Sequence, residues 1–150
     1  MDARAGELAA LHGARLQCKR GCSGCCLDGI TVFAIEAERI RANNEALLAH
    51  GTPHPVGACA FLDAEGACRI YADRPYVCRT QGLPLRWLEE ERGVELRDIC
   101  PLNETGELIE LLPANACWTL GPMEARLAEA QRECGDPLER IALRALFAQR

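Results

Sequence analysis

Large rings are scarce in this chain: 150 residues hold three Phe, two Tyr and two Trp. Aromatic side chains bring the largest packets of buried apolar area, so a core this poor in them gains from a further staple. Long apolar runs are missing too. None approaches the roughly 18 residues of a spanning helix, and membrane insertion by helices is not expected. The opening stretch MDARAGELAALHGARLQ has no apolar segment ahead of a small-residue cleavage site, so the chain reads as cytoplasmic rather than exported. Positive charge is in deficit, with 17 Lys and Arg against 22 Asp and Glu and a formal net charge of −5. Nucleic acid and anionic membrane are therefore not expected as partners. Repeats, low-complexity tracts and dividing linkers are absent, which suggests one domain over residues 1–150. No Ser/His/Asp set, nucleotide- or flavin-binding loop or recognisable carboxylate pair is present, so no catalytic constellation is visible.

Cysteine, by contrast, is abundant: there are ten. An even count would suit disulfides in a secreted protein, whereas in a reducing compartment thiols stay free or bind metal. Cys18, Cys22, Cys25 and Cys26 fall within one short stretch, CKRGCSGCC. A hydrophobic core does not require such a segment. Its glycines let backbone N–H groups turn toward the negative charge that thiolates bring. The stretch is read as a metal-binding knot.

The remaining elements are placed around it. Residues 2–16 are expected to form a helix with Asp2 as N-cap, and Ile30–Phe33 a strand. A single helix is expected from Ala34 to Ala49, with Glu36/Arg39 and Glu38/Arg41 as i,i+3 pairs. CAFLDAEGACRIY reads as a hairpin about DAEG. Pairing Leu62 with Ala67 puts Cys59 and Cys68 on one face as diagonal neighbours, about 7–8 Å apart. That is long for a disulfide and comfortable for two metal ligands; the alternative is two small apolar residues under a hairpin. Pro75 favours the first turn of a short helix or a tight turn, with Cys78 one turn further on. Leu85, Trp87, Val94 and Leu96 form one face of a second hairpin around EERG, and ELIELLP adds a short strand. Leu120, Met123, Leu127, Ala130 and Cys134 mark an amphipathic helix closed by Gly135, which places Cys134 in the core. Asp136 and Pro137 should start a last helix through PLERIALRALFAQR, whose apolar arc suits the core and also a second subunit, as in a homodimer. The fold class is α+β: a metal-organised region of short hairpins over 15–101, then a C-terminal strand and helices over 102–150.

CKRGCSGCC, CAFLDAEGACRIYADRPYVCR and Cys100 together resemble the YkgJ-like cysteine-cluster proteins, the zinc- or iron-chelating CxxCxxCC family. The family pattern is a Cys quartet ending in a CC pair, then C-x-I-Y-x-x-R-P-x-x-C-R, then a last Cys. Here the first gap holds three residues, Lys19, Arg20 and Gly21. The resemblance implies metal chelation in a bacterial intracellular protein, through Cys18, Cys22, Cys25, Cys26, Cys59, Cys68, Cys78 and Cys100. Neighbouring Cys25 and Cys26 are expected to diverge, serving two sites or leaving one thiol to pack. Lys19, Arg20, Arg69, Arg74 and Arg79 stand beside these cysteines in sequence, either as donors to sulfur or as ordinary surface charge. Gly-rich spacing, the CC pair and Cys100-Pro101 favour an iron–sulfur cluster, [4Fe–4S] first, over structural zinc, which usually shows two CxxC knuckles. The site is then structural or passes electrons. A cluster enzyme, or metal trafficking and thiol redox through Cys25-Cys26, remain open. Cys117, beside Trp118, and the three His are not assigned as ligands. Metal removal is expected to unfold much of 15–101, the C-terminal helices surviving better.

Overall fold

Short elements follow one another, as a glycine-punctuated, ring-poor sequence requires. The computed structural model describes residues 2–135 and 139–147. In chain order they form α1 (Asp2–Leu11), β1 (Thr31–Phe33), α2 (Ala34–Asn43), α3 (Glu45–His50), α4 (Tyr76–Arg79), β2 (Leu85–Glu89), β3 (Val94–Asp98), β4 (Trp118–Thr119), α5 (Pro122–Glu133) and β5 (Arg140–Ala142). The fold is α+β. Contacts divide the chain into a cysteine unit, Lys19–Cys78 with Arg126–Arg150, and a hairpin unit, Met1–Cys18 with Arg79–Ala125.

In the cysteine unit, β1 pairs antiparallel with β5, Val32 opposite Ile141. Glu36 then starts α2. One of its oxygens accepts the Phe33 N–H (3.2 Å) and the other the Tyr76 N–H (2.6 Å), so it caps the helix and fixes the start of α4 at once. The expected single helix breaks at Asn44, whose side chain donates to Ile40 O (3.0 Å) and Asp73 Oδ2 (3.3 Å); such local bonds compete with helix propagation. The Glu38–Arg41 pair forms, while Arg39 turns to Asp73 at 3.5 Å. The core gathers Val32, Ala37, Ile40, Phe61, Leu62 and Ile70 with Leu143, Leu146 and Phe147. Phe61 and Phe147 meet with ring centroids 4.8 Å apart.

The expected last helix is replaced by β5 and a 3-10 turn, Leu143–Phe147. A 3-10 turn stacks residues three apart, which puts Leu143 and Leu146 together in the core. Of the expected apolar arc, Leu146 and Phe147 are buried within this unit, Ile141 and Ala142 are half-buried and Ala145 is exposed; Leu138 lies outside the described residues. Asp136 and Pro137 lie outside the described residues. Gly135 does close α5, with φ at +77°. The side chain that α5 buries, however, is Gln131, which accepts the Ala34 N–H (2.8 Å) and donates to Glu139 O (3.1 Å). Cys134 is exposed, which corrects its placement in the core: it lies past the end of α5, beyond the turn that Gln131 buries.

In the hairpin unit, β2 and β3 pair in the expected register, Trp87 opposite Leu96. The added strand is not ELIELLP, which forms a 3-10 turn over Ile109–Leu111. It is β4, parallel to β2 with Trp118 beside Leu85. Ile109, Leu112, Ala116 and Cys117 form a small apolar cluster. α1 stops at Leu11 rather than Leu16, because Gly13 follows and the next residues turn inward. His12 and Arg15 are both buried, and His12 Nε2 donates to Ala116 O at 2.7 Å.

Candidate metal centre

Two successive turns shape the knot within the cysteine unit. Cys22 N–H donates to Lys19 O and Cys26 N–H to Ser23 O, each at 2.9 Å. The loop lies on the DAEG turn, glycine against glycine. A Cβ at Gly66 would stand 3.4 Å from both Gly21 O and Ser23 Oγ, and both glycines hold positive φ (+84° and +75°). Cys59 N–H donates to Cys26 O at 2.9 Å, joining the knot to the second cysteine stretch.

That stretch is slipped by one residue from the expected register. Leu62 bridges Cys68, not Ala67. The cause is Asp63, whose Oδ1 accepts the N–H groups of Glu65 (3.0 Å) and Ala67 (2.7 Å). The turn it organises closes with Asp63 N–H on Ala67 O (2.9 Å), one position wider than a four-residue turn. Cys78 follows Pro75 on α4, its N–H bonded to Pro75 O at 3.0 Å.

Five thiols are thereby linked, each within electrostatic reach of at least two of the others: Cys25, Cys26, Cys59, Cys68 and Cys78. Within this adjacent pair the largest influence on each titration is a hydrogen bond given by the Cys26 thiol to Cys25. Receiving that bond lowers the Cys25 pKa to about 6. Giving it raises Cys26, and burial and the charges of its neighbours add to the rise. Burial first, then Cys59 and Cys68, push Cys78 up to about 12; burial likewise raises Cys59 and Cys68. Among the described residues, no three His, Cys, Asp or Glu side chains stand close enough as placed to hold a metal ion.

The basic residues separate. Arg74 favours the thiolates of Cys25, Cys68 and Cys78. Its guanidinium stacks 3.6 Å over the Tyr71 ring, and Nη1 donates to Cys78 O at 3.4 Å. Arg69 donates to Ala60 O (2.7 Å) and lies 5.4 Å from the Phe147 ring centre. Arg20 is a surface group 3.7 Å from Asp63, and Lys19 is exposed. Sequence reasoning misses Arg144. It donates to Asp28 (2.8 Å) and to the carbonyls of His54 (2.7 Å), Ala58 (2.8 Å) and Pro55 (3.2 Å), pinning the loop ahead of Cys59. Its one sequence signal is a lone charge inside IALRALF.

Cys22 is half-buried in the same unit. Cys18 and Cys100 belong to the hairpin unit. There Cys18 Sγ accepts Asn103 Nδ2 at 3.6 Å, and the same nitrogen donates to Gly82 O at 2.8 Å. Asn103 is fully buried, and its Oδ1 accepts Gln17 N–H at 2.8 Å. Gly82 is obligatory at that spot: φ is +91°, and a Cβ would fall 2.5 Å from Cys18 Sγ. Asn103 also escapes sequence reasoning, although Cys100-Pro-Leu-Asn, with Asn103 N–H on Cys100 O (2.7 Å), has the form of a turn. Arg79 pairs with Asp2 at 2.9 Å.

Residues 17–101 match the family model CxxCxxCC, described as "Putative zinc- or iron-chelating domain". The chain belongs to this family. It is a cysteine-rich metal-binding protein. The chelating domain takes in the eight cysteines from Cys18 to Cys100 and leaves out Cys117, which is buried, and Cys134. No curated protein and no solved structure matches the chain. The donor set suits the family's metals, because soft thiolates select zinc and iron–sulfur clusters over magnesium or calcium. No helix among the described residues is long and apolar enough to cross a membrane.

Proposed function

We propose that the chelating domain carries an iron–sulfur cluster, [4Fe–4S] in preference to zinc, in a structural or electron-transfer role. The supporting observation is the group of five neighbouring thiols in the cysteine unit, with Arg74 as the cation beside them. Cys25, Cys26, Cys59, Cys68 and Cys78, with Cys22 at the margin, are the residues that would hold it; Cys18 and Cys100 are the family-implied remainder. Thiolates on an iron core carry net negative charge, and Arg74 and Arg69 offset part of it from outside the ligand set. When bound, the cluster supplies one-electron chemistry. The protein's own part is to exclude water, hold the sulfurs and set the local charge. Cytoplasmic placement belongs to the same proposal, since free thiols persist under reducing conditions. Anaerobic purification with iron, sulfide and zinc counts and a visible spectrum tests it. Iron and sulfide in near-equal amounts are expected; stoichiometric zinc without sulfide would replace the cluster by zinc held in a four-thiolate site.

Exposure of Cys25 favours a second reading, metal trafficking or thiol exchange through Cys25-Cys26. Alkylation of the metal-loaded protein decides between them. Complete protection of both cysteines would remove the exchange reading.

A further inference from the structure

A cavity of about 440 Å³ opens in the hairpin unit, and no cysteine lines it. Its walls combine the apolar Leu11, Leu112, Pro113 and Ala116 with two buried polar residues, His12 and Arg15, and the exposed Glu107 and Asn115. Arg15 is only 7% exposed. Its Nη2 donates to the Glu107 carbonyl, the main-chain oxygen rather than the carboxylate. Among the described residues, its Nη1 is buried and finds no acceptor. A Cβ at Gly106 would stand 3.5 Å from Nη2, so backbone packs against that side of the guanidinium.

A buried cation whose donor goes unmet is costly, and the fold keeps this one at the wall of an open space. His12 does not satisfy it, because its Nε2 is committed to Ala116 O. We propose that the cavity binds a small monocarboxylic acid with a short apolar tail. The carboxylate meets the Arg15 guanidinium and the tail lies against Leu112, Pro113 and Ala116. Guanidinium and carboxylate match in shape and charge, and a pocket of this size, with apolar walls and a few polar groups of which Arg15 is the one cation, is typical of small-ligand sites. A phosphate dianion fits less well, because one arginine supplies one positive charge and the remaining walls supply none.

The test titrates hexanoate, hexan-1-ol and inorganic phosphate into the full metal-loaded chain by calorimetry. Hexanoate should bind saturably and at least roughly tenfold more tightly than the other two, a charge-assisted bond being worth a decade or more in affinity. Arg15→Gln should lose the hexanoate heat. Leu11→Glu places a negative charge on an exposed residue of the cavity wall, where folding is not at stake, and should weaken hexanoate by roughly tenfold. Three results would each overturn the assignment: hexanoate that fails to saturate, phosphate or hexanol that binds as tightly, or Leu11→Glu that binds hexanoate like the parent chain. If Arg15→Gln does not fold, Leu11→Glu carries the test.

Discussion

The cysteine unit and the hairpin unit are built on different principles. In the first, thiols and core are one construction: Cys59 is itself a core residue beside Phe61 and Leu62, and Cys26 and Cys68 pack against that core. Placing sulfur and burying apolar surface are the same act there. In the second, strand register, the Arg97–Glu95–Arg86 ion pairs and the buried hub of Asn103 hold the chain. Its buried apolar side chains, among them Leu8, Leu83, Ile99, Leu112 and Trp118, include none of the eight motif cysteines. The contrast teaches that loss of metal should be felt as loss of a core in one unit and not in the other.

Four experiments sharpen or break this contrast. The largest effect is expected from metal removal, since thiolate–metal sites contribute on the order of 10 kcal/mol to folding. Hydrogen exchange should then collapse across residues 19–78 and also in Leu143–Phe147, which share the core with Cys59, while β2 and β3 stay protected. Equal collapse in both units would end the comparison. Phe61→Ala should cost about 3–5 kcal/mol, read as denaturant stability of the loaded protein, and should lower metal retention as well. Retention unchanged at that cost would separate core from thiols. Asn103→Ala should cost about 1–3 kcal/mol through its unmet partners and should raise the alkylation rate of Cys18 while Cys59 keeps its own.

The smallest effect is electrostatic. Hydrogen bonds from Arg97 first and then Arg86 hold the Glu95 carboxyl below its usual range. A depressed folded value means stability that is fully present above the unfolded value, about 4.3, and that is lost as pH falls through the folded one. Trp87 fluorescence during unfolding should therefore show the parent losing more stability on acidification than Glu95→Gln. Identical acid losses would show that the pair contributes nothing measurable, the usual outcome for exposed ion pairs.

Local signals read well where one residue type decides the backbone. Alternation set the β2–β3 register, Pro75 started α4, and Gly135 closed α5. They mislead where a polar side chain competes for backbone groups. Asn44 cut one helix into two, and Asp63 widened a turn and slipped the Cys59–Cys68 register. The C-terminal segment misleads for a third reason: Leu143, Leu146 and Phe147 suit a helix by spacing, but Arg140–Ala142 pair with β1, Ile141 opposite Val32, and that ladder takes these residues into a strand ahead of the 3-10 turn.

The family, the capacity to hold metal and the class of donor are written in the sequence, because thiolates recur there at a spacing that no packed core needs. Which thiols become neighbours is another matter. The approach of Cys26 to Cys59 and Cys78, the reach of Arg144 from the far end of the chain and the unmet nitrogen of Arg15 depend on contacts between residues dozens of positions apart. Such contacts form only when loop closure and burial are satisfied together, and linear spacing carries no record of that.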